Sequence, residues 1–141
     1  MAVTNTAVFP QTPTTAVAVC TAACTTYSDT ANKVLLYTAG ANGGEICHLS
    51  AMPRATVTAT QAQLYLSKDS GTTMSLVSTA LIPAYTMAQT TVVPTTQLVH
   101  GDGAIITEVN PLRLAPTDRL YVAIGVALAG GVEFMAEGRD Y

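Results

Sequence analysis

The sequence predicts an all-β fold, a jelly-roll-like β-sandwich of about eight short antiparallel strands behind an extended N-terminal arm. Three observations predict it. Apolar residues recur at period two: Leu120, Val122, Ile124, Val126 and Leu128 point one way, against Arg119, Tyr121, Ala123, Gly125 and Ala127. Turn residues cut the chain into seven to nine short runs, and no stretch carries a convincing helix period. The 141 residues suffice for one core but leave no room for a second domain, and no solenoid-length repeat is visible.

Residues 1–28 carry no charged side chain and are rich in Thr and Ala. Disorder goes with high charge and low hydrophobicity, so residues 1–33 read as an extended arm ahead of a sandwich domain over 34–141. The arm could add to a neighbour's sheet edge, with Val8, Phe9, Val17 and Val19 as anchors. The alternative is an ordinary first strand after a loose start. Val34 to Thr38 is a short strand, the AGANGG of 39–44 a loop, and Glu45 to Met52 a second strand ended by Pro53. Thr56 to Ser67 has the residues of a long strand, with a change of parity near Thr60 that suggests a bulge. Lys68-Asp69-Ser70-Gly71 is a turn, and Thr72 to Ile82 returns as its partner. Tyr85 to Val93 is strand or a single helical turn, kept short by Pro83 and Pro94. His100 to Gly103 is a turn, Ala104 to Val109 a strand, Leu112 to Leu114 a short strand, and Pro116-Thr117-Asp118 a turn. The last run, from Leu120, has no charge until Glu133, too short for the roughly 20 residues that cross a bilayer as a helix. With Ala129-Gly130-Gly131 at its centre, it reads as a β-hairpin, Val132, Phe134 and Ala136 alternating with Glu133, Met135 and Glu137.

Composition narrows the function. Charged residues make up 11% and hydrophobic residues 49%, against roughly 25% charged in an average soluble domain. A chain this neutral is expected to associate with itself or with partners. Small residues on the outer side of the 120–128 strand point the same way, and Tyr121, Ala123 and Gly125 there, together with Tyr141, are expected in an interface. A net charge of −3 and scattered basic residues argue against nucleic acid. Cys20, Cys24 and Cys47 suit free thiols in a reducing cytosol. MAVTNTAVFPQTP lacks a positive n-region, so the product is expected to stay in the cytoplasm where it is made.

Chemistry finds little support. Cys20, Cys24, Cys47 and His48 could form a zinc site, but adjacent strand residues face opposite ways, which makes joint coordination by Cys47 and His48 awkward. His100 and Asp102 resemble a base and its orienting carboxylate without a nucleophile. Glu133, Glu137 and Asp140 could meet calcium, though a solvated strand face explains them equally well. The glycines of 40–44 lack the spacing of a phosphate loop. No catalytic residue, metal or cofactor is expected.

The stretch PLRLAPTDRLYVA at 111–123, the closing AEGRDY at 136–141 and PRATVTATQAQLYLSKDSGTT at 53–73 resemble the capsid decoration (cement) proteins of tailed bacteriophages. The resemblance implies a structural protein on the exterior of an icosahedral virion that ties neighbouring major capsid subunits together. It implies a homodimer in preference to a trimer. The alternative is a receptor- or glycan-binding module of a phage tail or fibre, disfavoured by the absence of Trp and an aromatic content of 6%. A cupin-type enzyme is third, and two His in the chain cannot readily supply its metal ligands.

Overall fold

The computed structural model describes residue 9 and residues 12–141. Among these residues there is no helix and there are nine strands: β1 (Thr12–Cys20), β2 (Val34–Thr38), β3 (Gly44–Pro53), β4 (Thr60–Ser67), β5 (Ser75–Ile82), β6 (Thr96–Gln97), β7 (Leu112–Leu114), β8 (Arg119–Ile124) and β9 (Val132–Asp140). All strand pairs are antiparallel, in two sheets. One runs β1-β9-β3-β6, with β7 also on β3; the other runs β2-β8-β4-β5. The chain changes sheet at almost every connection, and only β4 and β5 form a hairpin within the second sheet. This is the strand order of a jelly roll, with β6 and β7 as two pieces of one strand split by residues 98–111.

The core follows from the alternation. Leu120, Val122 and Ile124 of β8 face Val132, Phe134 and Ala136 of β9 in one buried cluster. That facing relation replaces the expected hairpin. β8 pairs with β2 and β4, β9 pairs with β1 and β3, and residues 125–131 arch from one sheet to the other. Two strands with matching apolar faces can lie side by side or across a core; here burial of both faces against each other decides for the second. Gly131, at φ +76°, supplies the left-handed residue at the end of the arch.

Bulges set which residues point outward. In β3 the register steps from Ile46 opposite Gly138 to His48 opposite Glu137, leaving Cys47 unmatched. The extra residue lets Ile46 and then Leu49 and Ala51 all reach the core, while His48, Ser50 and Met52 face away from it. Gly138 sits beside this bulge, where a Cβ would strike the Glu45 carbonyl. The bulge expected near Thr60 lies instead between Leu64 and Tyr65 in the β4–β5 register, where Val77 is the extra residue.

Other expectations also shift. The segment 12–20 pairs along its whole length with β9 of the same chain, and residues 21–33 pack on the other sheet, so the sandwich begins at Thr12 rather than at residue 34. Only the segment before Thr12 is left to an arm, and most of it lies outside the described residues. Residues 56–59 precede β4 and 85–93 form a loop, tied together by a Val57–Tyr85 bridge. Residues 104–109 make isolated bridges only, from Ile105 to Val99 and from Thr107 to Asn110.

Candidate interaction surface

The two sheets present very different outer faces. On the β2-β8-β4-β5 sheet, the outward residues of β8 are Arg119, Tyr121 and Ala123, and the space above the last two is filled by residues 21–33. Cys24 N–H donates to the Ile124 carbonyl at 2.7 Å, and Leu128 N–H donates to the Thr21 carbonyl at 2.9 Å. Cys24, Tyr65, Tyr121 and Ala123 form a second buried cluster, with Met74 against it. Several polar tips beneath the cover are bonded: Tyr65 Oη donates to Gln63 Oε1 at 2.7 Å, Gln63 Nε2 donates to the Cys24 carbonyl at 3.3 Å, and Tyr27 Oη donates to Gln61 Oε1 at 2.9 Å. Burial, and then the contact with Cys24, pushes the Tyr65 hydroxyl above its ordinary pKa.

Lys33 is the clasp of this cover. Its side chain has 0% exposure, and its ammonium lies 4.4 Å from the Tyr65 ring centroid. It donates to the Thr26 carbonyl at 3.2 Å, to the Asp29 carbonyl, and to Asp29 Oδ1 at 3.4 Å. A cation held by two carbonyls, a carboxylate and an aromatic face ties the middle of the loop, at Thr26 and Asp29, to its end at Lys33 and to the sheet at Tyr65.

Two of the residues expected in an interface, Tyr121 and Ala123, therefore lie under the protein's own chain. Tyr121 is buried, Ala123 has 0% exposure, and Gly125 is half-buried against Gln61. Ala123 has no surface left for a partner. The small residues did mark a covered face; the cover is intramolecular.

The outer face of the β1-β9-β3 sheet is open. The register places Val17, Met135 and Ser50 in one row, Val19, Glu133 and Met52 in the next, and Thr15, Glu137 and His48 on the other side. Val17 is 53% exposed, Met52 40% and Met135 38%. Beside them the loop 83–95 brings Tyr85 and exposed Met87 to the rim of a groove of about 570 Å³, where Arg54 Nε lies 3.9 Å from Glu133 Oε2. A hollow of about 340 Å³ continues past Ser50 and Met135 to His48 and Glu137. A third, of about 270 Å³, continues from these to Glu108 and Arg139. Shared lining residues make the three hollows one trough along β9.

Of the remaining expected residues, Phe9 is exposed and Val8 lies outside the described residues. Tyr141 is half-buried and donates to Glu45 Oε2 at 2.8 Å, while Arg139 pairs with Glu45 Oε1 at 3.2 Å. Beside them Tyr37 Oη donates to Asp140 Oδ1, and burial, then Asp140, raises the Tyr37 pKa. These bonds anchor the end of β9 and do not join Tyr141 to Val17 and Val19, which lie on β1 beside the trough and do not line it.

The three cysteines are free and buried, and burial, then Cys24, pushes the Cys20 thiol up to about 12. Cys47 is buried while His48 is exposed, and among the described residues no group of three or more His, Cys, Asp or Glu is placed to hold a metal. His100 Nε2 meets the Asn110 carbonyl at 3.0 Å, across the loop, and Asp102 accepts from Ala104 N–H at 3.0 Å within its own turn, so the two side chains serve separate local contacts. Among the described residues no helix is long and apolar enough to cross a membrane.

Sequence reasoning did not single out Met52, Arg54, Met87 or Glu108. The outward parity of Glu133, Met135 and Glu137 was a usable signal; their neighbours in β3 and the loop 83–95 are set only by long-range pairing. In comparison with known proteins, no family model, curated protein or solved structure matches the chain. What the geometry defines is a β-sandwich with one face covered at its centre by its own chain, Leu35, Leu76 and Leu81 remaining exposed at the flanks, and one open, weakly charged face.

Proposed function

We propose that the protein is a structural component of a bacteriophage particle that binds the outer surface of the icosahedral shell and ties adjacent major capsid subunits together. The observation that carries this reading is the open β1-β9-β3 face, where Val17, Met52, Met87 and Met135 are exposed beside one another in a chain with 11% charged residues. The resemblance of 53–73, 111–123 and 136–141 to capsid decoration proteins supports the same reading. Contacts of this kind are weak singly but accumulate over a lattice, because attachment at one point raises the effective concentration of the next. A homodimer would double the points of attachment.

The test is the copy number of the protein in purified particles of the phage that encodes it. A number near that of the major capsid protein is expected. A handful of copies located at the tail would replace this reading with a receptor- or glycan-binding module, and absence from the particle would reject both. Adding the purified protein to shells that lack it should raise their temperature of disruption.

A further inference from the structure

We infer that the trough along β9 receives one extended segment of a capsid subunit, apolar where it meets Met52, Met87 and Met135 and basic where it meets Glu108 and Glu137. This deepens the capsid-binding reading and rests on it. The length fits: from Glu133 to Arg139 a strand rises about 20 Å, which an extended partner covers with about six residues.

The two ends differ in chemistry. At the first, three methionines line or rim the groove, and unbranched thioether side chains can repack around whatever apolar groups arrive. The charges there, Arg54 and Glu133, already face each other at 3.9 Å, so this end attracts neither sign. At the second, Glu108 and Glu137 are exposed and, among the described residues, neither has a basic partner within ion-pair distance. Arg139, which lines the same hollow, is engaged with Glu45 at 3.2 Å. His48 lies opposite Glu137 across the register and is the remaining titratable neighbour. Two carboxylates against one committed guanidinium call for a Lys or Arg on the partner, which sets its direction along the trough.

The full-length protein, with its methionine methyls carbon-13 labelled, is titrated with a short synthetic peptide that alternates Leu and Thr and ends in lysines, and with a twin ending in glutamates. The methyl signals of Met52, Met87 and Met135 should move and saturate, while Met74, under the cover of the opposite face, stays still. The lysine-ended peptide should bind about tenfold more tightly than its twin, and Glu137→Lys should reverse that preference. Stationary trough methyls, equal movement of Met74, or equal binding of the two peptides would overturn the inference. So would movement of the same methyls with protein concentration alone, which would make a second copy the occupant. In pelleting with shells, wild type should bind and Met135→Asp and Glu137→Lys should bind at least several-fold less. Equal binding by all three removes the trough inference and leaves the capsid reading standing; failure of wild type to bind removes the capsid reading and its proposed occupant together.

Discussion

The outer faces of the two sheets are built from strands with the same alternation, yet one is closed by the protein itself over β4 and β8, with Leu35, Leu76 and Leu81 exposed only at its flanks, and the other is left open along its centre. On β8 the outward residues after Arg119 are Tyr121 and Ala123, and the uncharged residues 21–28 can lie on them with their backbone groups bonded to Ile124, Gln63 and Lys33. On β9 the outward residues are Glu133, Met135 and Glu137, flanked by Val17, Val19, Met52 and His48. Interspersed charges keep such a face hydrated while leaving apolar side chains within reach of a partner. Low overall charge therefore overstates the need for partners: the outer faces of β4 and β8 are satisfied within the chain.

The largest effect that separates the faces is truncation of a side chain on each. Tyr65 has 0% exposure, and Tyr65→Ala should destabilise the protein by about 3–5 kcal/mol in urea unfolding. Met135→Ala on the open face should change stability by no more than about 0.5 kcal/mol. A comparable loss for both would mean that the β9 face is packed after all.

The next effect concerns the cover. Lys33→Met keeps much of the side-chain bulk but removes the ammonium from the Thr26 and Asp29 carbonyls, and should destabilise by about 1–3 kcal/mol. The loss should be local. Labelling of the Cys24 thiol should quicken about tenfold, as expected for a cover weakened by about 1.4 kcal/mol, while Cys20, in the core between the sheets, keeps its rate. If both thiols accelerate alike, Lys33 supports the whole fold rather than the loop.

How much of this was legible depends on range. Parity is local, so the inward faces of β8 and β9, the bounds of β2 and the turns at 68–71, 100–103 and 116–118 could be read from the chain. So could the existence of a cover over Tyr121, though not its source, because Cys24 meets Ile124 across about a hundred residues of sequence. Pairing is non-local. The same glycines that would suit a hairpin at 129–131 suit an arch between sheets, and what decides is the burial of β8 and β9 against each other, with β1 and β3 taking the places beside β9. The trough was hidden for that reason: Met52, Met87 and Met135 come from β3, a loop and β9, and no spacing in sequence joins them.

The smallest effect tests the rim of the covered face, at the turn between β4 and β5. Asp69 Oδ1 accepts from Thr73 N–H at 2.8 Å and from Ser67 Oγ at 2.9 Å, and Oδ2 accepts from Thr73 Oγ1 at 2.6 Å. Gly71 in this turn, at φ +94°, passes so close to Tyr121 that a Cβ would strike its hydroxyl. The donors, Thr73 first, hold the Asp69 carboxyl near 2, below its ordinary 3.8. A folded-state value below the unfolded one means the contribution is fully present above about pH 4 and is lost as pH falls toward 2. Asp69→Asn removes that dependence while keeping one acceptor oxygen. The urea midpoint of wild type should therefore exceed that of Asp69→Asn by a small amount at pH 6, and the gap should close between pH 4 and 2. Because the group is exposed, the gap is expected to be slight. The closing of the cover should follow it: Cys24 labelling in wild type, compared with Asp69→Asn, should rise over the same interval, while the methyl signals of Met52 and Met87 in the open trough show no corresponding difference. A gap that stays constant with pH would show that the Thr73 donors do not favour the ionised carboxylate, and that the turn is held by Gly71 and Tyr121 alone.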